Sequence, residues 1–236
     1  MVAPCRLSVA DVLHVDTNTS KSHISGYPPL LAFTAMTGIR KKPRQQRSRA
    51  TWDAILEAAA QLFGEQGYTG TTTNKVAERA GVSIGSLYQY FPNKEALLLA
   101  LSEQHMEHSG TVLHTVFEHL EREHPGLEET VSRLVDAAVE LHRHNPNMHR
   151  LLFEQTPRSP TLMARFQRLE SLMAAAVGAQ LRRLGVAGPR PEARALLLVQ
   201  SLEAQIHGAV LSPPDGADTD TLVTEIKALC VASLAS

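Results

Sequence analysis

Apolar residues recur every three or four positions along most of this chain, the spacing that places them on one face of an α-helix. The first such stripe runs from Trp52 to Phe63. After Leu101 similar stripes follow one another, separated by Pro- or Gly-containing breaks at 125–126, 145–146, 188–189 and 213–216. No segment shows the alternation of apolar and polar residues that is typical of strands, so the pattern predicts an all-α fold.

Residues 73–92 form two short helical patterns joined by a glycine. Gly81 stands where the end of a helix favours a left-handed residue. Ser83 is placed to cap the next helix, which is predicted at roughly Ile84 to Tyr90. Two helices joined by a short turn that contains Gly are typical of a helix-turn-helix, whose second helix fits the major groove of DNA.

The charge of the chain is unevenly distributed. The formal net charge is −1, yet between Arg40 and Lys94 nine Lys or Arg residues face four Asp or Glu residues. From Glu95 onward, twelve basic residues face eighteen acidic ones. A basic amino-terminal part joined to an acidic remainder is expected when only the first part touches phosphates. The alternative is a solvated basic tail.

The segment from Arg47 to Leu101 resembles the DNA-binding domain of the TetR (tetracycline-repressor-like) transcriptional regulators. The resemblance rests on the stripe of the first helix, on the link GYTGTTT (67–73) and on AGVSIGSLYQYFPNKEALL (80–98, with Leu99 following), in that order and without a gap. It covers about a quarter of the chain, and beyond Leu101 only helical character and length support it. It implies a three-helix helix-turn-helix domain followed by a helical ligand-binding and dimerisation domain.

The resemblance and the basic run together give a set of expected DNA contacts. The run before the first helix is expected to contact phosphates: Arg40, Lys41, Lys42, Arg44, Arg47 and Arg49. The family pattern adds phosphate contacts at Thr72, Thr73, Lys75 and Lys94. It assigns to the recognition helix and its approach Ser83, Ile84, Gly85, Ser86, Tyr88, Gln89 and Tyr90.

Three of these positions carry alternatives. Many relatives have Lys at the position of Ile84; the isoleucine here either touches a thymine methyl group or leaves one phosphate uncontacted. For Tyr88 and Tyr90, the alternative to a DNA contact is packing on the first helix, since aromatic rings tend to be buried.

A different class of function is suggested by the same segment. Residues 81–85 match the G-x-S-x-G pattern of a hydrolase nucleophile elbow, which would make Ser83 catalytic. That elbow requires a strand before the serine, whereas the preceding residues predict a helix. We therefore expect no enzyme activity.

The domain boundaries follow from these patterns. Residues 1–38 lack a sustained period and are expected to be disordered or weakly ordered, and 39–50 form a basic arm. The DNA-binding domain is placed at 48–98 and the regulatory and dimerisation domain at 99–236. Met36 stands where relatives usually begin, so a start there is the alternative to Met1.

Composition is consistent with a cytoplasmic protein. Cys5 and Cys230 are the two cysteines and lie far apart, which suits a reducing compartment and gives neither a disulfide framework nor a metal-binding quartet. The N-terminus lacks the features of a secretory signal, and no apolar run has the length of a membrane span. We expect no resident cofactor and no membrane partner.

Polar and aromatic residues on the later helices are candidates for a small-molecule site. Gln200, Glu203 and His207 share one helical face, which would line a pocket or, alternatively, form a solvated or dimer-facing edge. The other candidates are Phe117, His142, His149, Phe153 and Phe166, although the phenylalanines could equally be ordinary residues of a hydrophobic core. His105 and His108 are one turn apart, but nothing nearby in the sequence completes a metal site, so we expect no metal.

These observations predict a sequence-specific, double-stranded DNA-binding transcriptional regulator. The preferred form is a homodimeric repressor that is released from a palindromic operator by an unidentified small molecule. By the resemblance, the dimer forms through about 192–211 and 219–234. The alternative in the same class is a ligand-independent regulator or activator.

Overall fold

The computed structural model describes residues 46–155 and 159–235, which form nine α-helices and one π-helical turn. No strand occurs within these two ranges, which confirms the all-α prediction. The predicted N-terminal extension (1–38) and the arm residues Arg40, Lys41, Lys42 and Arg44 lie outside the described residues. None of the described helices has the length and apolarity needed to cross a membrane.

The helices begin and end close to the predicted breaks. In chain order they are α1 (Gln46–Gly70), α2 (Thr73–Arg79), α3 (Ile84–Tyr90), α4 (Lys94–Glu123), α5 (Leu127–His144), α6 (Pro146–Arg150), α7 (Pro160–Arg183), α8 (Pro191–Leu211) and α9 (Thr219–Ala235). The π-helical turn, Leu151–Gln155, follows α6 directly.

Backbone contacts divide the described residues into two compact units. We call residues 46–108 with 145–165 the helix-turn-helix unit, and residues 109–144 with 166–235 the bundle unit. The sequence predicted a single boundary at residue 98. In the structure, residues 145–165 belong to the helix-turn-helix unit as well. There α6 and the π-helical turn pack on α1, and Asn147 lies against Gly64. Arg165 donates to the carbonyl of Leu99 over 2.8 Å.

The core of the helix-turn-helix unit is the apolar stripe of α1 together with the anchors of the next three helices. Ile55 and Phe63 are fully buried, as are Leu87, Phe91 and Leu97. The stripe buries because its spacing keeps one face of α1 on the neighbouring helices. This packing fixes where α2 and α3 stand on the surface of the unit.

The link between α1 and α2 is closed by a buried threonine. Gly67 has a φ of 70°, which ends the regular part of α1 within its last turn. Thr71 is fully buried, and its hydroxyl shares its one proton between the carbonyls of Leu62 (3.0 Å) and Gly67 (2.9 Å). This contact ties the residue that follows α1 to the last turns of that helix.

The bundle unit has its own core, in which α5, α8 and α9 pack on one another. Phe117, Val135, Ile206 and Cys230 are among its buried residues. Lys227 of α9 pairs with Asp136 of α5 at 2.6 Å, which ties two of these helices at their half-buried edge.

Candidate functional site

The turn between α2 and α3 has the geometry that its sequence predicts. Thr72 caps α2 by accepting from the amide of Lys75 at 3.3 Å. Gly81 has a φ of +66°, and the amide of Val82 returns to the carbonyl of Ala77 at 3.0 Å. A left-handed residue at this point reverses the chain at the end of a helix. The turn therefore sends α3 away from α2 within four residues.

Helix α3 is held by one capping serine and one buried anchor. Ser83 has extended backbone (φ −69°, ψ 149°), and its hydroxyl accepts from the amide of Ser86 at 3.1 Å. Leu87 is fully buried, and its carbonyl accepts from the amide of Phe91. Because the helix is anchored on this side, its opposite side is presented to the surroundings.

The two tyrosines of α3 have different environments. Tyr88 is 44% exposed, and its hydroxyl lies 3.1 Å from that of Thr73 on α2. Tyr90 is half-buried and meets the ring of Trp52 on α1 edge to face, with centroids 6.0 Å apart. The packing alternative thus applies to Tyr90, while Tyr88 stays available at the surface. Trp52 as the partner of Tyr90 was not identified from the sequence.

The position of α2 on α1 is braced by an exposed ion pair. Both guanidinium nitrogens of Arg79 reach the two carboxylate oxygens of Glu65, at 3.0 and 2.9 Å. The hydrogen bonds from Arg79 lower the pKa of Glu65 below its ordinary value. This fork-to-fork geometry fixes orientation more than it adds stability, because both groups are exposed to solvent.

Among the predicted phosphate contacts that the structure describes, Thr73 and Lys94 are half-buried and the others, Arg47, Arg49, Thr72 and Lys75, are exposed. Arg47 and Arg49 are exposed on the first turn of α1, so they belong to a helix and not to a separate arm. Lys75 is exposed, and its ammonium donates to the side chain of Gln66 (2.7 Å) and the carbonyl of Gly70 (2.9 Å). Their contacts with DNA remain predictions.

The ammonium group of Lys94 is held within the protein by two backbone carbonyls. It donates to the carbonyls of Tyr68 (2.6 Å) and Thr71 (2.9 Å) and lies 4.3 Å from the centre of the Tyr68 ring. Asn93 caps the same helix start by accepting from the amide of Ala96 at 2.8 Å. Lys94 therefore ties the start of α4 to the link between α1 and α2. No sequence signal indicates this role, since the acceptors are backbone carbonyls.

The predicted small-molecule residues fall into both units. In the bundle unit, Phe117 is buried in the core, which supports its structural alternative. His142 is buried on α5, with its Nε2 3.3 Å from Oε1 of Glu203 on α8 and its Nδ1 2.8 Å from the carbonyl of Ala138. Burial by itself lowers the pKa of His142, but the bond and charge of Glu203 outweigh it, so the pKa is raised.

The other polar members of this set lie on the same side of α8. The ring centroids of His207 and His142 are 6.2 Å apart. The amide nitrogen of Gln200 donates to the carboxylate of Glu170 on α7. Glu170 was missed by sequence reasoning, since its place on an amphipathic helix does not reveal the partner. The polar face of α8 thus forms specific pairs with α5 and α7.

The remaining aromatic candidates have mixed exposure. In the helix-turn-helix unit His149 is buried and stacks on Phe153, with centroids 5.9 Å apart, while Phe153 is 43% exposed. His149 also meets His105 edge to face at 4.5 Å. Phe166, in the bundle unit, is half-buried.

An open groove of about 690 Å³ lies on the bundle unit, between the start of α5 and the end of α9. It is bordered by Gly126, Leu127, Glu128, Glu129, Ser132, Val231 and Ala235. None of the predicted small-molecule residues borders it. The candidates for small-molecule binding are therefore the paired polar side chains on α8, which lie outside this groove.

Two family models match the chain. The model described as bacterial regulatory proteins of the tetR family matches residues 55–101. The model described as the tetracyclin repressor-like C-terminal domain matches residues 126–234. The first covers the helix-turn-helix and the second most of the remaining helices.

Individual relatives match the amino-terminal part. An uncharacterized HTH-type transcriptional regulator, YvkB of Bacillus subtilis, is 43% identical over 65 residues, which are 28% of this chain and 34% of that protein. The HTH-type regulator RutR of Escherichia coli K12 is 44% identical over 72 residues, 29% of this chain and 34% of RutR. The chain thus matches about a third of the length of these curated relatives.

The fold is similar to that of a solved structure. The transcriptional regulator FadR of Bacillus subtilis, solved in complex with stearoyl-CoA, superposes with a TM-score of 0.59 over 77% of this chain and 98% of that one, at 19% identity. This likeness concerns the fold. Since the two family models cover residues 55–234 except for 102–125, and both describe the same family, the chain belongs to the TetR family of bacterial transcriptional regulators.

Proposed function

We propose that this chain is a homodimeric transcriptional repressor that binds a palindromic operator in double-stranded DNA and leaves it when a small molecule binds. The observation that carries the proposal is the presentation of α3. One side of this helix is fixed by the fully buried Leu87, and the other side exposes Tyr88. Such a helix can enter the major groove without losing its anchor. Action on DNA implies a cytoplasmic location.

The charge around α3 supports DNA as the partner. Arg47, Arg49 and Lys75 are exposed on the same unit as α3, where they can neutralise phosphates while α3 reads bases. Phosphate contacts fix the register of a protein on DNA, and contacts to base edges supply the sequence preference. The two roles are separable by experiment.

Exposed leucines support a dimer through α8 and α9. Leu197 is 65% exposed and Leu196 37% on α8, and Leu229 is 61% exposed on α9. Apolar side chains that stay exposed on two neighbouring helices favour burial against a partner. A second copy related by a two-fold axis would present two α3 helices to two related half-sites.

The bundle unit is proposed to bind the effector. FadR of Bacillus subtilis was solved with stearoyl-CoA, and its fold is similar to that of this chain. Here His142, Glu203 and Gln200 would orient a largely apolar molecule among the helices. The molecule must bind more tightly to the form that does not fit DNA, since equal affinity shifts nothing. A coupling of about 1–3 kcal/mol is typical.

The test begins with selection of duplexes from a random-sequence library by the purified full chain. Affinity for the selected duplex is then measured by fluorescence anisotropy over a range of salt concentrations. Tyr88→Ala is expected to lose the preference for the selected duplex over random DNA. Lys75→Ala is expected to weaken binding to both duplexes and to lower the salt slope by about one.

Tyr88→Phe is the matched control, because it removes only the hydroxyl that meets Thr73. It should retain more of the preference than Tyr88→Ala. If Tyr88→Ala binds the selected duplex as tightly as the parent, the assignment of α3 as the recognition helix is wrong. Addition of acyl-CoA esters and other metabolites to the complex tests the effector part separately.

A further inference from the structure

The exposed side of α3 carries two large side chains, one aliphatic and one aromatic. Ile84 is 37% exposed and Tyr88 44% exposed, and the two are four residues apart. Residues at this spacing lie on the same side of a helix. Leu87, on the other side, is fully buried, so Ile84 is not needed as the anchor of this helix.

The polar side chains beside Ile84 are engaged within the protein. The hydroxyls of Ser83 and Ser86 lie 2.9 Å apart, and that of Ser83 also caps the helix. The hydroxyl of Tyr88 is paired with that of Thr73. At the start of α3, the side chain of Ile84 therefore offers a partner an aliphatic surface.

Nothing in the described part of the structure requires a glycine next to Ile84. Among the described residues, a Cβ atom built on Gly85 would meet the Ser83 hydroxyl at 3.8 Å, an ordinary contact, and the backbone there is helical. The fold would thus accept alanine, which is a better helix former than glycine. A missing side chain at an exposed helical position allows a partner to approach the backbone closely.

An apolar side chain on a helix that enters the major groove has one apolar group to meet there. Among the base edges, the C5-methyl group of thymine is the apolar feature, and the others are hydrogen-bond donors and acceptors. We propose that Ile84 contacts a thymine methyl group in each half-site and that Gly85 provides the clearance for this contact. This inference rests on the proposed function and adds one specificity-determining residue to it.

The experiment uses the duplex selected by the full chain. Each thymine is replaced in turn by deoxyuridine, symmetrically in both half-sites, which removes only the methyl group. The burial of one methyl-sized group corresponds to about a fourfold change in affinity, so the loss at both half-sites should weaken parental binding about 10- to 20-fold. Thymines away from the contact should show little change.

Ile84→Ala identifies the side chain responsible. It should bind the thymine duplex more weakly than the parent and should no longer distinguish thymine from deoxyuridine at the sensitive position. Glu78→Ala, an exposed change on the neighbouring helix α2 outside the expected DNA contacts, is the control and should keep the parental sensitivity. Gly85→Ala should retain or raise the melting temperature and still weaken binding to the selected duplex.

Two results would overturn the inference and leave the proposed function intact. In one, no deoxyuridine substitution weakens binding by the parent. In the other, Ile84→Ala and the parent lose the same factor at the sensitive thymine, which would assign the methyl contact to another side chain. If the parent selects no sequence from the library, the proposed function fails and this inference fails with it.

Discussion

Replacement of Lys94 by methionine separates two roles for one ammonium group. The family resemblance predicts a phosphate contact for Lys94, while the structure shows its ammonium bonded to the carbonyls of Tyr68 and Thr71. Methionine keeps an unbranched apolar stem beside the Tyr68 ring and removes every N–H donor. The change therefore removes the tie between the link of α1 and α2 and the start of α4.

The expected loss follows from the two bonds. A hydrogen bond to a charged group contributes about 1.5–3 kcal/mol, and a half-buried site lies toward the lower end of that range. Water can reach part of this site and replace one donor. We therefore expect the free energy of unfolding to fall by about 2–3 kcal/mol, and the melting temperature by about 5–10 °C.

Thermal unfolding followed by circular dichroism measures the stability of the parent and of Lys94→Met. The matched control is Lys75→Met, because Lys75 also donates to one backbone carbonyl and to a nearby side chain but is exposed to solvent. That change should shift the melting temperature by a degree or two at most. The salt dependence of DNA binding is measured on the same samples.

The two roles give different patterns. If Lys94 braces the fold, Lys94→Met lowers the melting temperature and leaves the salt slope of binding unchanged. If Lys94 contacts a phosphate, Lys94→Met lowers the slope by about one and leaves the melting temperature unchanged. An unaltered melting temperature together with a reduced slope would refute the structural role that we derive for Lys94.

Three further predictions concern other parts of the chain. Gly81→Val should lower the free energy of unfolding, measured by urea titration, by about 1–2 kcal/mol, because Gly81 has a φ of +66°. Gly208→Ala is the control and should not destabilise the protein, because Gly208 lies in a helix with open space around it. Leu197→Glu should convert a dimer to a monomer of unchanged helicity, as seen by light scattering and circular dichroism, since an apolar interface does not accept an unpaired carboxylate. The pKa of His142 is raised in the folded protein, so its pair with Glu203 stabilises the fold fully at a pH below the ordinary histidine pKa of about 6.5. This stabilisation is lost as the pH rises through the higher pKa of the folded state. Urea titrations at pH 6 and pH 8 should show this loss in the parent and a smaller one in Glu203→Gln.

Much of the helix-turn-helix could be predicted because its determinants are local. The left-handed Gly81, the cap at Ser83 and the burial of Leu87 and Phe91 were each indicated by residues within four positions of one another. Helical spacing and breaker residues likewise placed α5, α7, α8 and α9. These features depend on backbone conformation and on contacts one turn apart, which a single stretch of sequence specifies.

What the sequence left open depends on contacts between residues far apart in the chain. The choice between Tyr88 and Tyr90 was decided by Trp52, which lies 38 positions before Tyr90. The partner of Gln200 is on another helix, as is that of His142. Spacing along one helix shows which residues share a face but not what faces them.

The sequence by itself determined that the described part of the chain is helical and carries a helix-turn-helix, since local backbone preferences and apolar spacing suffice for both. Only the tertiary structure decided that residues 145–165 pack with that motif, and that the ammonium of Lys94 is held by two carbonyls. The physical reason is that every residue carries the same carbonyl group. The packing of separate helices decides which carbonyls a given side chain contacts, and residue identity alone does not predict it.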